Sequence, residues 1–401
     1  MPDLISHLLL ALAAVMITGR LMGWLFRRLH QPPVVGEVIG GILLGPSLLG
    51  LVWPAAYQFL LPPELVPVLG AVAELGVILY MFLVGLELNP DVLRGQLRST
   101  VAIAQAGMLA PFALGAALAV YLYPLLSPAD VPFTSFALFF GVAMAVTAFP
   151  VLARILADLG ISQTPLGVRA LACAAIADVS AWCILALVVG VVQASPERAI
   201  VVAILTAVFV ATVLLIARPI VHRLVRRSDA RGPSHGPVAV ALVALLVSAW
   251  ITDAIGVHAV IGAFLAGTTI PHDSKLAVAL RQSFEHLVLI LLLPAFFAFT
   301  GMKTQIGLVS GATGWMLCGL IVLVATIGKF GGTFLAARAT GTPARQAAGL
   351  GVLMNTRGLM ELIVLNIGLE LGVISPTLYT MLVVMAIVTT LATTPVLRRL
   401  L

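Results

Sequence analysis

Long apolar runs constrain this chain more than any other feature. About thirteen segments, each near the roughly 20 residues that a helix needs to cross a bilayer, follow one another along the sequence. Lipid offers the backbone no hydrogen-bond partners, so such segments must be helical. The sequence therefore predicts an all-α membrane protein. The predicted spans are residues 4–26, 33–52, 66–87, 99–123, 133–156, 166–192, 199–222, 236–253, 256–270, 284–301, 314–337, 346–369 and 376–397.

Charge is too scarce for a water-exposed surface. Charged residues make up 9% of the chain and apolar residues 61%, against about 25% and 45–50% in soluble domains. One transmembrane domain over residues 1–401, embedded in the lipid bilayer, accounts for this. The basic pI near 9.6 does not indicate nucleic acid, because the basic residues lie in short loops between spans. The three cysteines have no metal-ligand spacing, and we expect no cofactor.

The basic residues also predict an orientation. Cytoplasmic loops of membrane proteins carry an excess of Lys and Arg, and only Arg198 and Lys303 fall on the opposite side when the N-terminus is placed outside. An odd number of spans then puts the C-terminus in the cytoplasm, in a multi-pass protein of the cytoplasmic (inner) membrane. The basic residues on the predicted inner side are Arg27, Arg28, Arg94, Arg98, Arg154, Arg169, Arg223, Arg226, Arg227, Arg231, Lys275, Arg281, Arg338, Arg345, Arg398 and Arg399.

The seventh span divides the chain into two sets of about six spans with opposite orientations, which is typical of an inverted-repeat transporter. We predict a first repeat over residues 1–195, a linker helix and basic loop over 196–232, and a second repeat over 233–401. Because the sequence ends soon after its last span, we also expect no soluble C-terminal domain.

An acidic residue lies in the middle of the sixth span. A charge at the bilayer centre is costly, so Asp178 needs a partner, water or a function. One interpretation is a protonated or capped structural aspartate. The other is a carboxylate that binds a proton or a dehydrated cation, with Ser180 nearby as a further oxygen.

The fifth span carries Thr147 and Pro150. Proline removes a backbone donor, and a threonine hydroxyl can bond to a carbonyl that is freed. An ordinary proline kink would explain the pattern, but a local break near the membrane centre explains it as well.

The twelfth span is interrupted in the corresponding place of the second half. Its polar cluster comprises Asn355, Thr356, Arg357 and Gly358, and Glu361 lies four residues after the arginine, on the same helix face. A self-satisfied structural ion pair is one interpretation. Paired interruptions in the two halves, however, indicate a transporter's binding site.

Lys329 lies among glycines in the eleventh span, too deep for its ammonium to reach the interface easily. A backbone carbonyl at a helix break and the carboxylate of Glu361 are both possible partners.

Several segments, in order along nearly the whole chain, resemble the monovalent cation:proton antiporters of the second family, especially the cation/proton exchanger branch. They are QPPVVGEVIGGILLGPSLLG, ELGVILYMFLVGLELNP, TAFPVLARIL, CAAIADVSAW, GVHAVIGAFLAGTTIP, LLPAFFAFTGMKTQIGL and GVLMNTRGLMELIVLNIG.

The resemblance implies thirteen helices, two broken helices that cross, a homodimer and an elevator-type cycle. It implies that Asp178 binds Na⁺ or K⁺ and exchanges it for H⁺, with the breaks at Thr147 and Asn355–Arg357 beside it and Lys329 as the core lysine. The chain departs from the family at Ala177, where many relatives carry an acid, Asn or Gln. One titrating carboxylate predicts electroneutral exchange.

Two other functions stay open: a sodium-coupled symporter of an organic solute on a related fold, and a membrane sensor without transport. An enzyme is not expected, since no nucleophile–base pair is visible. The sequence does not discriminate Na⁺ from K⁺, because selectivity depends on cavity size and carbonyl placement.

Overall fold

The computed structural model describes residues 2–87, 97–162, 164–193, 196–229, 235–256 and 259–400. The secondary structure of these residues is helical, without a strand. The all-α prediction is therefore confirmed, as expected for a backbone that must satisfy its own hydrogen bonds in lipid.

Nineteen α-helices are found in the described part of the chain. Those of the first half are α1 (Pro2–Arg28), α2 (Pro33–Leu44), α3 (Leu49–Val52), α4 (Pro54–Leu60), α5 (Val66–Glu87), α6 (Leu97–Leu126), α7 (Phe133–Ala145), α8 (Phe149–Asp158) and α9 (Pro165–Gln193). Those of the second half are α10 (Pro196–Thr212), α11 (Arg218–Asp229), α12 (His235–Ile255), α13 (Ala259–Thr268), α14 (Lys275–Leu287), α15 (Leu293–Lys303), α16 (Gly311–Ala339), α17 (Ala344–Met354), α18 (Leu359–Glu370) and α19 (Pro376–Leu400).

Short segments of other helix types join some of these helices. A π-helical turn at Val213–Ala217 joins α10 to α11, and another at Val288–Leu292 joins α14 to α15. Single 3₁₀ turns lie at Pro63–Leu65 and Ile306–Leu308.

Ten helical stretches among the described residues are long and apolar enough to cross a membrane. The predicted spans coincide with helix over most of their described residues, but four differ from a single long helix. The second comprises α2 and α3, separated by residues 45–48. The ninth is the short α13, and the fifth and twelfth are each two half-helices, α7–α8 and α17–α18. The total of thirteen spans and their orientation stay predictions.

The chain forms two compact units that alternate along the sequence. The site unit comprises Ile17–Leu60, Asp91–Val188 and Thr300–Leu401, and the companion unit comprises Met1–Met16, Leu61–Pro90 and Val189–Phe299. All of the predicted site residues belong to the site unit. These two units do not coincide with the predicted repeats, because each contains segments from both halves of the sequence. The inverted repeat therefore stays a prediction.

In the site unit, α6 packs between α7 and α16. Small residues permit this, because packing rather than hydrophobicity joins helices in lipid. A Cβ added at Gly328 of α16 would lie 2.7 Å from the Cα of Pro111 on α6. A buried, mostly aliphatic cluster from α6, α8, α9, α16, α17 and α19 completes the interior around the half-helices.

In the companion unit, α5 and α12 pack against α13. A Cβ at Gly85 would lie 2.2 Å from the carbonyl oxygen of Phe264, and the Ser248 hydroxyl donates to the carbonyl of Gly262 at 2.7 Å. This unit carries no residue of the predicted site.

Candidate functional site

The first interruption separates α7 from α8. The helix ends at Ala145, and residues 146–148 are non-helical before α8 begins at Phe149. Val146 is extended, with φ −64° and ψ 144°. Pro150 lies in the first turn of α8, where a helix does not need the N–H that proline lacks. The predicted break is therefore present, with the proline at the start of the second half-helix.

The second interruption separates α17 from α18. Residues 355–358 are non-helical, between the end of α17 at Met354 and the start of α18 at Leu359. Arg357 lies in the gap and Glu361 in the first turn of α18. Their side chains form an ion pair at 3.2 Å, from Nη1 to Oε2, and both are fully buried. The predicted pairing of these two residues is thus present.

Two hydrogen bonds join the gaps directly. The backbone N–H of Ala148 donates to the carbonyl of Thr356 at 3.1 Å. The hydroxyl of Thr147 donates to the carbonyl of Met354 at 3.4 Å. That carbonyl is one of the last of α17, which have no partners within their own helix. The two broken helices therefore cross at their gaps, and Thr147 bonds a freed carbonyl of the other helix.

Two cationic side chains bind the C-terminal end of α7. The guanidinium of Arg357 donates to the carbonyls of Ala143 and Met144 at 3.1 and 2.6 Å. The ammonium of Lys329, from α16, donates to the carbonyl of Ala145. The C-terminus of a helix carries partial negative charge, so both cations compensate it while satisfying buried acceptors.

Of the two partners considered for Lys329, the structure places the backbone carbonyl against its ammonium. Both Lys329 and Arg357 are fully buried. The lysine also interacts electrostatically with Asp178, Glu361 and Arg357, so it lies among the charges of the site without an ion pair of its own in the described residues.

Asp178 is on α9 and is 4% exposed. Its carboxylate interacts with the backbone N–H of Phe149, the first residue of α8. A helix N-terminus favours an anion through its free N–H groups and its dipole. Its Oδ1 atom is buried and has no hydrogen-bond partner among the described residues. Asp178 therefore lies at the first gap with one oxygen open to a ligand.

Of the remaining predicted residues, Asn355 and Thr356 lie at the second gap, whereas Ser180 bonds to another helix. Asn355 is 7% exposed, and its Oδ1 is another buried oxygen without a partner in the described chain. Thr356 is fully buried, and its hydroxyl lies 3.5 Å from that of Thr393. The hydroxyl of Ser180 instead accepts from Gln105 of α6 at 2.6 Å, so the structure gives it a partner away from the crossing. Its role in ion binding stays a prediction.

Sequence reasoning missed the threonines of α19. Thr389, Thr390, Thr393 and Thr394 are all buried, and Thr390 and Thr393 contact the gap between α17 and α18. The signal was present as TTLATT inside an apolar span. Hydroxyls that bond to their own helix are common in such spans, which is why the pattern alone does not stand out.

The crossing offers oxygen ligands of the kind that small cations prefer. Buried carboxylate and amide oxygens are suitable ligands for hard cations, and the adjacent half-helix ends supply backbone dipoles. Within the described residues, no group of three His, Cys, Asp or Glu side chains could hold a metal ion in the manner of an enzyme centre. Crossing half-helices with a buried carboxylate define a secondary transporter.

Comparison with known proteins agrees with this class. The family model described as "Sodium/hydrogen exchanger, transmembrane" matches residues 12–401. The chain therefore belongs to the sodium/hydrogen exchanger family, whose members are transporters rather than enzymes.

Named relatives exchange different cations. The chain is 42% identical to the Na⁺/H⁺ antiporter NhaS4 of Synechocystis sp., over 97% of both chains. It is 40% identical to Cation/H⁺ antiporter 20 of Arabidopsis thaliana, over 97% of this chain and 48% of that protein. It is 31% identical to K⁺/H⁺ antiporter 1 of Saccharomyces cerevisiae, over 92% and 43% respectively. The chain thus spans nearly all of the cyanobacterial relative but about half of the plant protein and less than half of the yeast protein.

The fold matches that of a solved transporter. The sodium proton antiporter MjNhaP1 from Methanocaldococcus jannaschii superimposes with a TM-score of 0.71, covering 98% of this chain and 96% of that one at 16% identity. At this identity the match shows the fold alone, and it confirms the predicted antiporter architecture.

Gly358 provides a steric test of the crossing. A Cβ at this position would lie 2.7 Å from Cγ2 of Val151 on α8. We expect Gly358→Ala to push the gap and α8 apart, with a cost of about 1–3 kcal/mol typical of overpacking and a lower maximal transport rate. Thermal unfolding in detergent and transport in proteoliposomes measure both effects. Gly358 also has a φ of +159°, which an alanine rarely adopts. Gly319→Ala on α16, where nothing lies within 4 Å, is the control, and equal behaviour of the two variants would show that neither the contact nor this backbone conformation matters.

Proposed function

We propose that the protein exchanges a monovalent cation, Na⁺ or K⁺ or both, for H⁺ across the cytoplasmic membrane. The observation that carries this is Asp178, buried at the N-terminal end of α8 with Oδ1 unpartnered. Relatives named as Na⁺/H⁺, cation/H⁺ and K⁺/H⁺ antiporters support the exchange and leave the cation open between Na⁺ and K⁺.

The exchange follows from competition for one carboxylate. When Asp178 carries a proton it is neutral and has no charge with which to hold a cation. When it releases the proton, the carboxylate, with Asn355 and Thr147 as neighbouring oxygens, binds the cation instead. Only one of the two ligands is bound at a time, so each time the site moves across the membrane it carries either a proton or a cation. The flow of one ion down its gradient therefore drives the other in the opposite direction, without a further energy source.

The proposed cycle is electroneutral. The residue before Asp178 is Ala177, which has no acidic group to bind a second proton. Lys329 is bound to the carbonyl of Ala145, and in the proposed cycle its charge stays there and compensates the end of α7. One carboxylate then exchanges one proton for one cation.

An elevator-type movement suits the composition of the site. Asp178, Lys329, Arg357, Glu361 and both gaps all belong to the site unit, so one compact body holds the complete site and can present it to either side in turn. We further propose a homodimer, two inverted repeats around the linker helix, an outside N-terminus and a cytoplasmic C-terminus. The orientation is supported by the distribution of basic residues.

Reconstituted protein tests the function. The purified protein is placed in liposomes with a pH gradient reported by a fluorescent amine, and Na⁺, K⁺ or Li⁺ is added without any organic solute. We expect at least one cation to dissipate the gradient. A sodium-coupled symporter would respond only when its organic substrate is present, and a sensor would give no response, so either result overturns the proposal.

Electroneutrality has its own test. A membrane potential of about 100 mV changes the driving force by about 2.3 kcal/mol for each net charge moved. We expect the exchange rate to be the same with the voltage clamped at zero and with a potential of either sign. A rate that rises with one polarity and falls with the other would show that net charge moves in each cycle.

A further inference from the structure

The gap between α17 and α18 is held from the side by one hydroxyl. Thr390 of α19 accepts a hydrogen bond from the backbone N–H of Arg357 at 3.0 Å and donates one to the carbonyl of the same residue at 2.6 Å. The hydroxyl thus occupies both backbone groups of a residue that lies outside any helix. A buried backbone group without a partner is costly, most of all in a membrane interior.

Arg357 links the Thr390 hydroxyl to the first gap, because its side chain binds the end of α7. Its guanidinium binds the carbonyls of Ala143 and Met144 at the end of α7 and the carboxylate of Glu361. Asn355 and Thr356 directly precede Arg357 in the chain, and the Thr356 carbonyl accepts from the backbone N–H of Ala148, which is next to Phe149. A shift of the Arg357 backbone would therefore displace the Thr356 carbonyl, which bonds to the first gap, and the guanidinium, which binds the end of α7.

A second threonine on the same face supports the arrangement. Thr393 lies three residues after Thr390, hence on the same side of α19, and its hydroxyl is 3.5 Å from that of Thr356. The Thr389 hydroxyl, by contrast, donates within the described residues to carbonyls of its own helix, those of Met385 and Ala386, at 2.8 and 3.2 Å. Thr390 and Thr393 therefore face the gap between α17 and α18, whereas the hydroxyl of Thr389 bonds to its own helix.

We propose that Thr390 is a positioning residue for ion exchange, which sets the geometry of the crossing through the backbone of Arg357 and thereby the affinity for the cation. It does not contact the ion itself. This inference rests on the proposed function and adds a determinant of affinity outside the motifs of the two broken helices.

The test compares three variants in the proteoliposome assay. Thr390→Val keeps the shape of the side chain and removes the hydroxyl, while Thr390→Ser keeps the hydroxyl. Thr389→Val is the matched control, since Thr389 is also buried, with 2% exposure against 1% for Thr390. Thr390→Val removes both hydrogen bonds to the Arg357 backbone, and the loss of one net hydrogen bond corresponds to a factor of roughly three to ten. We therefore expect this variant to raise the half-maximal cation concentration about tenfold, with a smaller change in maximal rate.

The pH profile provides a readout that simple destabilisation does not move. If cation and proton compete for Asp178, weaker cation binding lets protons inhibit at lower concentration. At a fixed cation concentration the acidic limb of the Thr390→Val profile should then shift to higher pH, while Thr390→Ser and Thr389→Val follow the wild type. Folding is checked separately by size-exclusion chromatography and thermal unfolding of the purified variants.

The outcomes are distinguishable. Exchange by the wild type together with an unchanged half-maximal concentration in Thr390→Val would overturn the positioning role but leave the proposed function intact. Equal losses in Thr390→Val and Thr389→Val would reduce the effect to general packing and also overturn it. A wild type that moves no protons with any cation would overturn the proposed function itself.

Discussion

Asp178→Asn is expected to abolish cation-dependent proton movement. The substitution preserves the size of the side chain but removes the group that titrates and the charge that binds the cation. The first-gap geometry should survive, since the amide oxygen of Asn can still accept from the N–H of Phe149, the contact that Asp178 makes at the start of α8. In proteoliposomes with an imposed pH gradient, addition of Na⁺, K⁺ or Li⁺ should give the same trace as empty liposomes.

A carboxylate elsewhere in the site unit is the control for this substitution. Glu370 pairs with Lys303 at 3.1 Å and its side chain is 59% exposed, so Glu370→Gln should exchange like the wild type. If Asp178→Asn continues to exchange cations for protons, the shared site lies elsewhere, and Glu361, the other buried carboxylate at the crossing, is the next residue to replace.

Arg357→Gln is expected to have the second largest effect. The guanidinium binds two carbonyls of α7 and the buried carboxylate of Glu361. Removing one partner of a buried ion pair costs about 3–5 kcal/mol, because it leaves an uncompensated charge, and the two freed carbonyls add to this. We expect a large fall in the thermal stability of the purified protein and loss of exchange. Thermal unfolding in detergent and proteoliposome transport give the two measurements.

Glu361→Gln separates the ion pair from the capping of α7. This variant removes the buried acid but leaves Arg357 bound to Ala143 and Met144, so it should be clearly milder than Arg357→Gln. The double variant Arg357→Gln/Glu361→Gln should recover part of the stability lost in Arg357→Gln, since Glu361 then no longer leaves a buried carboxylate without its arginine partner. Equal losses in the two single variants would mean that the contacts with α7 contribute little.

The architecture followed from local properties of the sequence. The apolar runs predicted the helices, because a backbone in lipid has few alternatives to a helix. Pro150 and the Asn355–Gly358 cluster predicted the gaps, because each conflicts with a continuous helix. The fold match agrees with the helical architecture. The number of spans is less certain from sequence, because a segment as short as α13 does not have the length of an ordinary crossing.

The contacts within the site depend on which helices meet, and sequence spacing does not report that. The pairing of Arg357 with Glu361 could be predicted from the sequence, because the two residues are four apart in one segment. The bond from Lys329 to Ala145 joins residues 184 positions apart, and both partners considered for the lysine agreed equally with the sequence. Thr390 lies in the TTLATT run, but nothing in the sequence pairs it with Arg357, since its partner is a backbone that any residue provides.

Ser180 shows how proximity along the chain misleads. Two residues after Asp178, it lies on another side of α9 and bonds to Gln105, whereas Asn355, far away in sequence, has a buried oxygen open to a ligand. The helical period, more than the distance along the chain, decides which polar groups share a site with the aspartate.

Obligatory coupling of cation to proton is tested most directly by driving the exchange in reverse. Proteoliposomes with an acidic interior are placed in alkaline medium containing a trace of ²²Na⁺ or ⁸⁶Rb⁺, the latter as a substitute for K⁺, with the membrane voltage clamped at zero. We predict that protons leaving the vesicle drive accumulation of at least one tracer above its external concentration, and that the accumulation collapses when the pH gradient is removed. Equilibration of the tracer without accumulation, at the same rate with and without the pH gradient, would contradict exchange at a shared carboxylate.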